Sequence, residues 1–70
     1  MVKHYPKKDL KLSDGNIWHY LVFDKEPDLS MYPEEYYDRR TIKRRPDIIY
    51  YVHPNLFTFL LLKFDIERKD

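Results

Sequence analysis

Three histidines, His4, His19 and His53, are the side chains of this chain best suited to move a proton near neutral pH or to hold a metal ion. Acid–base work would need one of them beside a carboxylate in a cleft. The sequence puts His19 inside a β-prone run, His53 just before a Pro-Asn turn and His4 near the N-terminus, and it marks no carboxylate as the partner of any. A structural zinc site takes Cys and His ligands at short spacings. Here there is no cysteine and the histidines are far apart in the chain, so no metal site is expected. No Ser or Cys stands in a nucleophile elbow. The single glycine, Gly15, excludes a loop that cradles phosphate. The expectation is a protein that is not an enzyme, with no catalytic residue and no cofactor.

The elements that would position any site follow from local pattern. Residues 8–13 alternate in the strand manner with Leu10 and Leu12 on one side, and Ile17 to Phe23 is an aromatic and β-branched run. Asp14-Gly15 between them predicts a hairpin over 8–23, with positive φ at the glycine. Asp24 to Tyr32 reads as loop. Pro33 at a first helical position, Glu34 and Glu35 in a first turn, and Lys43, Arg44 and Arg45 in a last turn before Pro46 predict a helix over 33–45. It would be poorly amphipathic. Ile48 to Val52 predicts a strand. Residues 55–67 fit either a strand, with Leu56, Leu60, Leu62, Phe64 and Ile66 on one face, or a helix capped by Asn55 with Leu56, Phe59, Leu60 and Phe64 at helical spacing. The strand is the preferred reading, because aromatics and a neighbouring strand favour a second hairpin. The expected fold is α+β, β-hairpin–helix–β-hairpin (ββαββ), one domain over 1–70 with residues 1–7 as a mobile N-terminal segment.

Seventy residues bury only about 60% of the surface the unfolded chain exposes. Domains of this size lean on disulfides, metals or a second subunit. Without cysteine, this one would lean on its seven Tyr, four Phe and one Trp, or on self-association as a homo-oligomer. Lack of cysteine fits a reducing compartment. No apolar segment follows Met1, and Leu56 to Leu62 is too short to span a bilayer, so a cytoplasmic protein with no membrane partner is expected. The net charge of +1 gives no overall bias towards nucleic acid.

Binding is the function these residues favour. On the expected helix, Arg39, Arg40, Lys43 and Arg44 share one stripe with Tyr36 beside them. Such a stripe fits an acidic patch on a protein, or nucleic-acid phosphates with Tyr36 or Tyr37 stacking on a base. A solvated helix end is the plainer alternative. Tyr beside Arg is also the chemistry of interface hot spots. In the strand reading, Phe57, Phe59 and Leu61 face away from the only helix, which would leave an apolar patch for a partner. The partner-binding residues expected are therefore Tyr36, Tyr37, Arg40, Arg44, Leu56, Phe57, Phe59 and Leu61.

His53-Pro54-Asn55-Leu56-Phe57 resembles the short clamp-binding peptides of bacterial replication proteins, which begin with Gln and end in Leu-Phe. His53 departs from that pattern at the first anchor. The absence of Ala and the single Gly are a habit of AT-rich coding sequences, because both residues use GC-rich codons. Together these features resemble the small proteins that phages make to disable host functions. The resemblance implies an inhibitor that binds a host protein in the host cytoplasm, with the DNA sliding clamp as the named target. A nucleic-acid-binding regulator using residues 39–45 and a structural homodimer subunit are the other readings.

Overall fold

A computed structural model describes all 70 residues. Its elements in chain order are β1 (Val2–His4), β2 (Leu10–Lys11), β3 (Ile17–Phe23), β4 (Tyr37–Arg40), β5 (Ile48–Val52), α1 (Pro54–Lys63) and β6 (Ile66–Arg68), with 3-10 turns at Pro6–Lys8 and Glu34–Tyr36. The aromatic and β-branched run of β3 is the longest strand, and the sheet is ordered β4-β5-β3-β1-β6 with β2 beside β3. All pairings are antiparallel except β1 with β6. The result is an α+β domain with one helix and a six-stranded mixed sheet, not a ββαββ layout.

The hairpin forms where Asp14-Gly15 predicts it, but its first arm is short. Leu10 pairs with Trp18 and Lys11 with Ile17. The Asp14 carboxylate accepts the Asn16 N–H at 2.9 Å, and Gly15 has φ +89°. A Cβ at Gly15 would meet nothing within 4 Å, so a side chain there is opposed by backbone conformation alone. Gly15→Val is expected to cost about 1 kcal/mol or more, read as a lower urea midpoint with an unchanged slope.

Residues 1–7, expected to be mobile, instead supply a strand inside the sheet. β1 lies between β3 and β6, and Val2 is buried in the core. Both β1 and β2 run along the same side of β3, interrupted between them. His4 pairs with Leu21 and Leu10 with Trp18, so residues 5–9 stand against only His19 and Tyr20. Pro6 begins the 3-10 turn that takes up the extra length. Within this interruption the Tyr5 N–H donates to the Tyr20 carbonyl at 3.1 Å, and the Tyr20 N–H donates to Asp9 Oδ1 at 2.8 Å. The Asp9 side chain takes the place of a ladder carbonyl.

The helix expected over 33–45 is absent. Glu34–Tyr36 makes one 3-10 turn, and Tyr37–Arg40 is a strand on the edge of β5. The charges at both ends suited a helix dipole, but the segment lacked an apolar stripe to bury, and helices in proteins are stabilised mainly by packing. As a strand, Tyr37 packs on Tyr50 with ring centroids 6.1 Å apart, and the edge of β5 is covered.

The helix lies at 54–63 instead, which corrects the strand preferred for that segment. Pro54 occupies the first turn, and His53 Nδ1 accepts the Asn55 N–H at 3.0 Å, so the cap is His53 and not Asn55. Leucine at 56, 60, 61 and 62 favours helix, and Leu56 with Leu60 puts a buried pair at i,i+4. α1 connects β5 to β6, which lie three positions apart in the sheet, by crossing one face of it. Beneath it Leu56 and Leu60 meet Val2, Leu21, Phe23, Tyr50 and Val52, with Leu29 from the long loop completing the core. Burial raises the pKa of the Tyr50 phenol, and its hydrogen bond to Glu26 at 3.1 Å raises it further. No helix is long and apolar enough to cross a membrane.

Candidate functional site

The two histidines that looked unrelated in the chain meet around one carboxylate. His4 Nε2 lies 3.1 Å from Asp9 Oδ1 and 3.2 Å from Oδ2, and His19 Nδ1 lies 3.0 Å from Oδ2. Three elements bring them together. β1 ends at His4, the 3-10 turn swings Asp9 back to the sheet, and His19 sits on the β3 face that looks at α1. A carboxylate only accepts hydrogen bonds, so the ring nitrogens that face it are donors in this arrangement. The Tyr20 N–H fixes Oδ1, which turns Oδ2 towards both rings.

An aromatic cover closes the cluster. The Phe57 ring stacks on His19 with centroids 4.0 Å apart and tilts over His4 at 4.9 Å. The two imidazoles meet edge to face at 5.2 Å. The side chains of His4, Asp9 and His19 keep 11%, 13% and 19% of their surface exposed, so the cluster touches solvent without opening to it. His53 stands apart, stacked on Tyr36 at 4.7 Å with its Nδ1 engaged in capping α1.

A second feature is the outer side of α1. Leu62 is 85% exposed, Phe59 60% and Leu61 49%, while Leu56 and Leu60 on the inner side are at 1% and 0%. Met31 is also exposed, and Lys63 Nζ reaches its sulfur at 3.7 Å, which ties this loop residue to the end of the helix. Phe59 and Leu62, at i,i+3, are neighbours on the helix surface, while Leu61 projects about 200° round the helix from Phe59.

The partner-binding residues expected from the sequence are scattered by this fold. Phe59 and Leu61 are exposed and share α1 with Leu62, which the strand reading had placed inside. Leu56 is core and Phe57 covers the histidines, so the clamp-like pentapeptide forms the start of a helix whose Leu points inward. An extended peptide cannot be presented from there without unfolding α1. Tyr36 packs on His53 and Tyr37 on Tyr50. Arg40 lies on the opposite sheet face, 5.3 Å from the centroid of the Tyr51 ring and 3.2 Å from Asp38. Arg44 is in the turn after β4 with φ +84°. With no helix over 39–45, the basic stripe does not exist.

Asp9 is the site residue that sequence reasoning missed. Its signal lay in the hairpin itself, because the register that pairs Leu10 with Trp18 continues to Asp9 opposite His19. His4 gave no such signal, since its place depends on the length taken up by the Pro6–Lys8 turn. The chain matches no protein-family model, no curated protein and no solved structure.

Proposed function

We propose that this protein is a non-enzymatic binding module that docks on another protein through the outer side of α1. The observation that carries the reading is the exposure of Phe59 and Leu62, neighbours at i,i+3 on α1, with Leu61 exposed next to Leu62 in the chain. Apolar clusters of this kind on small domains mark interaction surfaces, and an amphipathic helix in a partner's groove is a recurring mode. The partner implied is a protein with an apolar groove. The reading keeps the class of partner expected from the sequence and replaces the pentapeptide with the helix face as the contact. We assign the histidines no catalytic role, because His4 and His19 are largely buried beside Phe57 and hydrogen-bonded to Asp9.

The test is a variant carrying Phe59→Lys and Leu62→Lys, whose side chains are outside the core and whose fold is checked by circular dichroism. A partner captured by the wild type and then purified is expected to bind the variant about thirtyfold more weakly or worse. Equal binding by both would end the proposal. Sedimentation of the wild type alone is the companion measurement. A dimer that the double variant dissolves would reassign the same face to a second copy of the chain.

A nucleic-acid reading has one observation in its favour. On the sheet face away from α1, Lys8 Nζ lies 5.3 Å from the Tyr20 ring centroid and Arg40 lies at the same distance from Tyr51. Cations beside aromatics on a sheet face suit single-stranded nucleic acid, but Tyr20 is itself buried and offers no free ring face to a base. The pairing of Arg40 with Asp38 and the net charge of +1 weigh against it. Affinity for a single strand that falls steeply with salt would establish it.

A further inference from the structure

We propose that His4, Asp9 and His19 form a binding site for one divalent transition-metal ion, zinc first, through His4 Nε2, Asp9 Oδ2 and His19 Nδ1. The three ligand atoms lie within 4.8 Å of one another. Zinc bonds of 2.0–2.1 Å at tetrahedral angles require ligand atoms roughly 3.3 Å apart. The two contacts to Oδ2, at 3.2 and 3.0 Å, already have that spacing. The remaining pair, His4 Nε2 and His19 Nδ1, lies within 4.8 Å, and the two rings would rotate towards each other to bring it to the same spacing.

The surroundings are those of a held ligand set. Asp9 Oδ1 is occupied by the Tyr20 N–H, an outer hydrogen bond that orients the carboxylate and leaves Oδ2 free to bind. The Phe57 ring lies over both imidazoles and keeps water from one side, which strengthens the bonds to a cation in the space beneath. The residual exposure of the three side chains leaves room for a water molecule as the fourth ligand. Two imidazoles and a single carboxylate suit zinc and its neighbours, whereas calcium and magnesium prefer an all-oxygen shell. On binding, each neutral imidazole presents the lone pair of its facing nitrogen and carries its proton on the other one, so the ion replaces the two hydrogen bonds to Asp9.

The site has a physical purpose in this chain. It would tie β1, the turn after it and β3 together at the point where the β-ladder is interrupted. A domain with 11 buried residues and no cysteine gains most from such a staple. The inference does not depend on the partner proposed for α1.

The experiment is a titration of the wild-type protein with zinc chloride in a non-coordinating buffer, followed by calorimetry and by imidazole 15N resonances. The expected result is one zinc per chain with Kd below about 10 μM. At zinc a hundredfold above Kd, Tm is expected to rise by roughly 10 °C or more. The 15N resonances of His4 Nε2 and His19 Nδ1 should move while those of His53 stay in place. His19→Gln should weaken binding at least about a hundredfold. The wild-type resonances keep the test valid even if that variant fails to fold. Weaker wild-type binding, zinc shifts at His53 instead, or undiminished binding by a folded His19→Gln protein would each overturn the site.

Discussion

Leu60→Ala is expected to destabilise the protein by about 2–5 kcal/mol, while Leu62→Ala changes stability by less than about 0.5 kcal/mol. Leu60 is fully buried on α1, in the same core cluster as Leu21 and Val52, and truncation leaves a cavity there. Leu62 is 85% exposed and loses almost nothing. Domains are stable by about 5–15 kcal/mol, and those of this size lie low in the range. Leu60→Ala should therefore leave a substantial unfolded population at room temperature. Urea unfolding followed by fluorescence of Trp18, the single tryptophan, measures both variants. The pair separates helix from strand decisively, because strand alternation would bury residues 60 and 62 alike. Equal losses at the two positions would contradict α1.

Asp9→Ala is the other substitution with a large expected effect, about 3 kcal/mol. The Asp9 carboxylate accepts from the Tyr20 backbone, from His4 and from His19, and it is mostly buried. Removing it leaves the Tyr20 N–H without its acceptor at the interruption of the ladder and leaves two imidazoles without their partner. Asp9→Asn keeps an acceptor for the Tyr20 N–H and should lose about half as much. The same urea experiment, run in the presence of a chelator, reads both. A loss below about 0.5 kcal/mol in Asp9→Ala would show that the cluster contributes nothing to the fold.

The two candidate surfaces are both carried by α1. Phe57 rests on His19, and Phe59, two positions later on α1, faces solvent. A helix turns about 200° over two residues, which is why neighbours in the chain serve opposite sides. The strand reading had put Phe57, Phe59 and Leu61 on one face as a single patch. The helix keeps Phe59 and Leu61 outside, turns Phe57 inward, and adds Leu62.

By itself the sequence determined the local features whose causes are local. Asp14-Gly15 specified the turn because few residues other than glycine adopt φ +89° without cost, and the aromatic and β-branched runs 17–23 and 48–52 specified strands. The mixed α and β content was legible in the same way, whereas the exposure of Phe59 and Leu61 was expected from a strand that is in fact a helix. Tertiary structure decided the rest. Residues 37–40 carried helix-like end charges, but the open edge of β5 offered them hydrogen bonds and a tyrosine to pack on. Residues 54–63 balanced strand against helix until the sheet needed a cover on one face and the chain needed to travel from β5 to β6. His4, Asp9 and His19 became a cluster only because β1 entered the sheet beside β3 and a three-residue turn displaced the register behind it. Contacts between residues distant in the chain depend on loop lengths and on which edges are free, and neither is encoded in any one window of sequence.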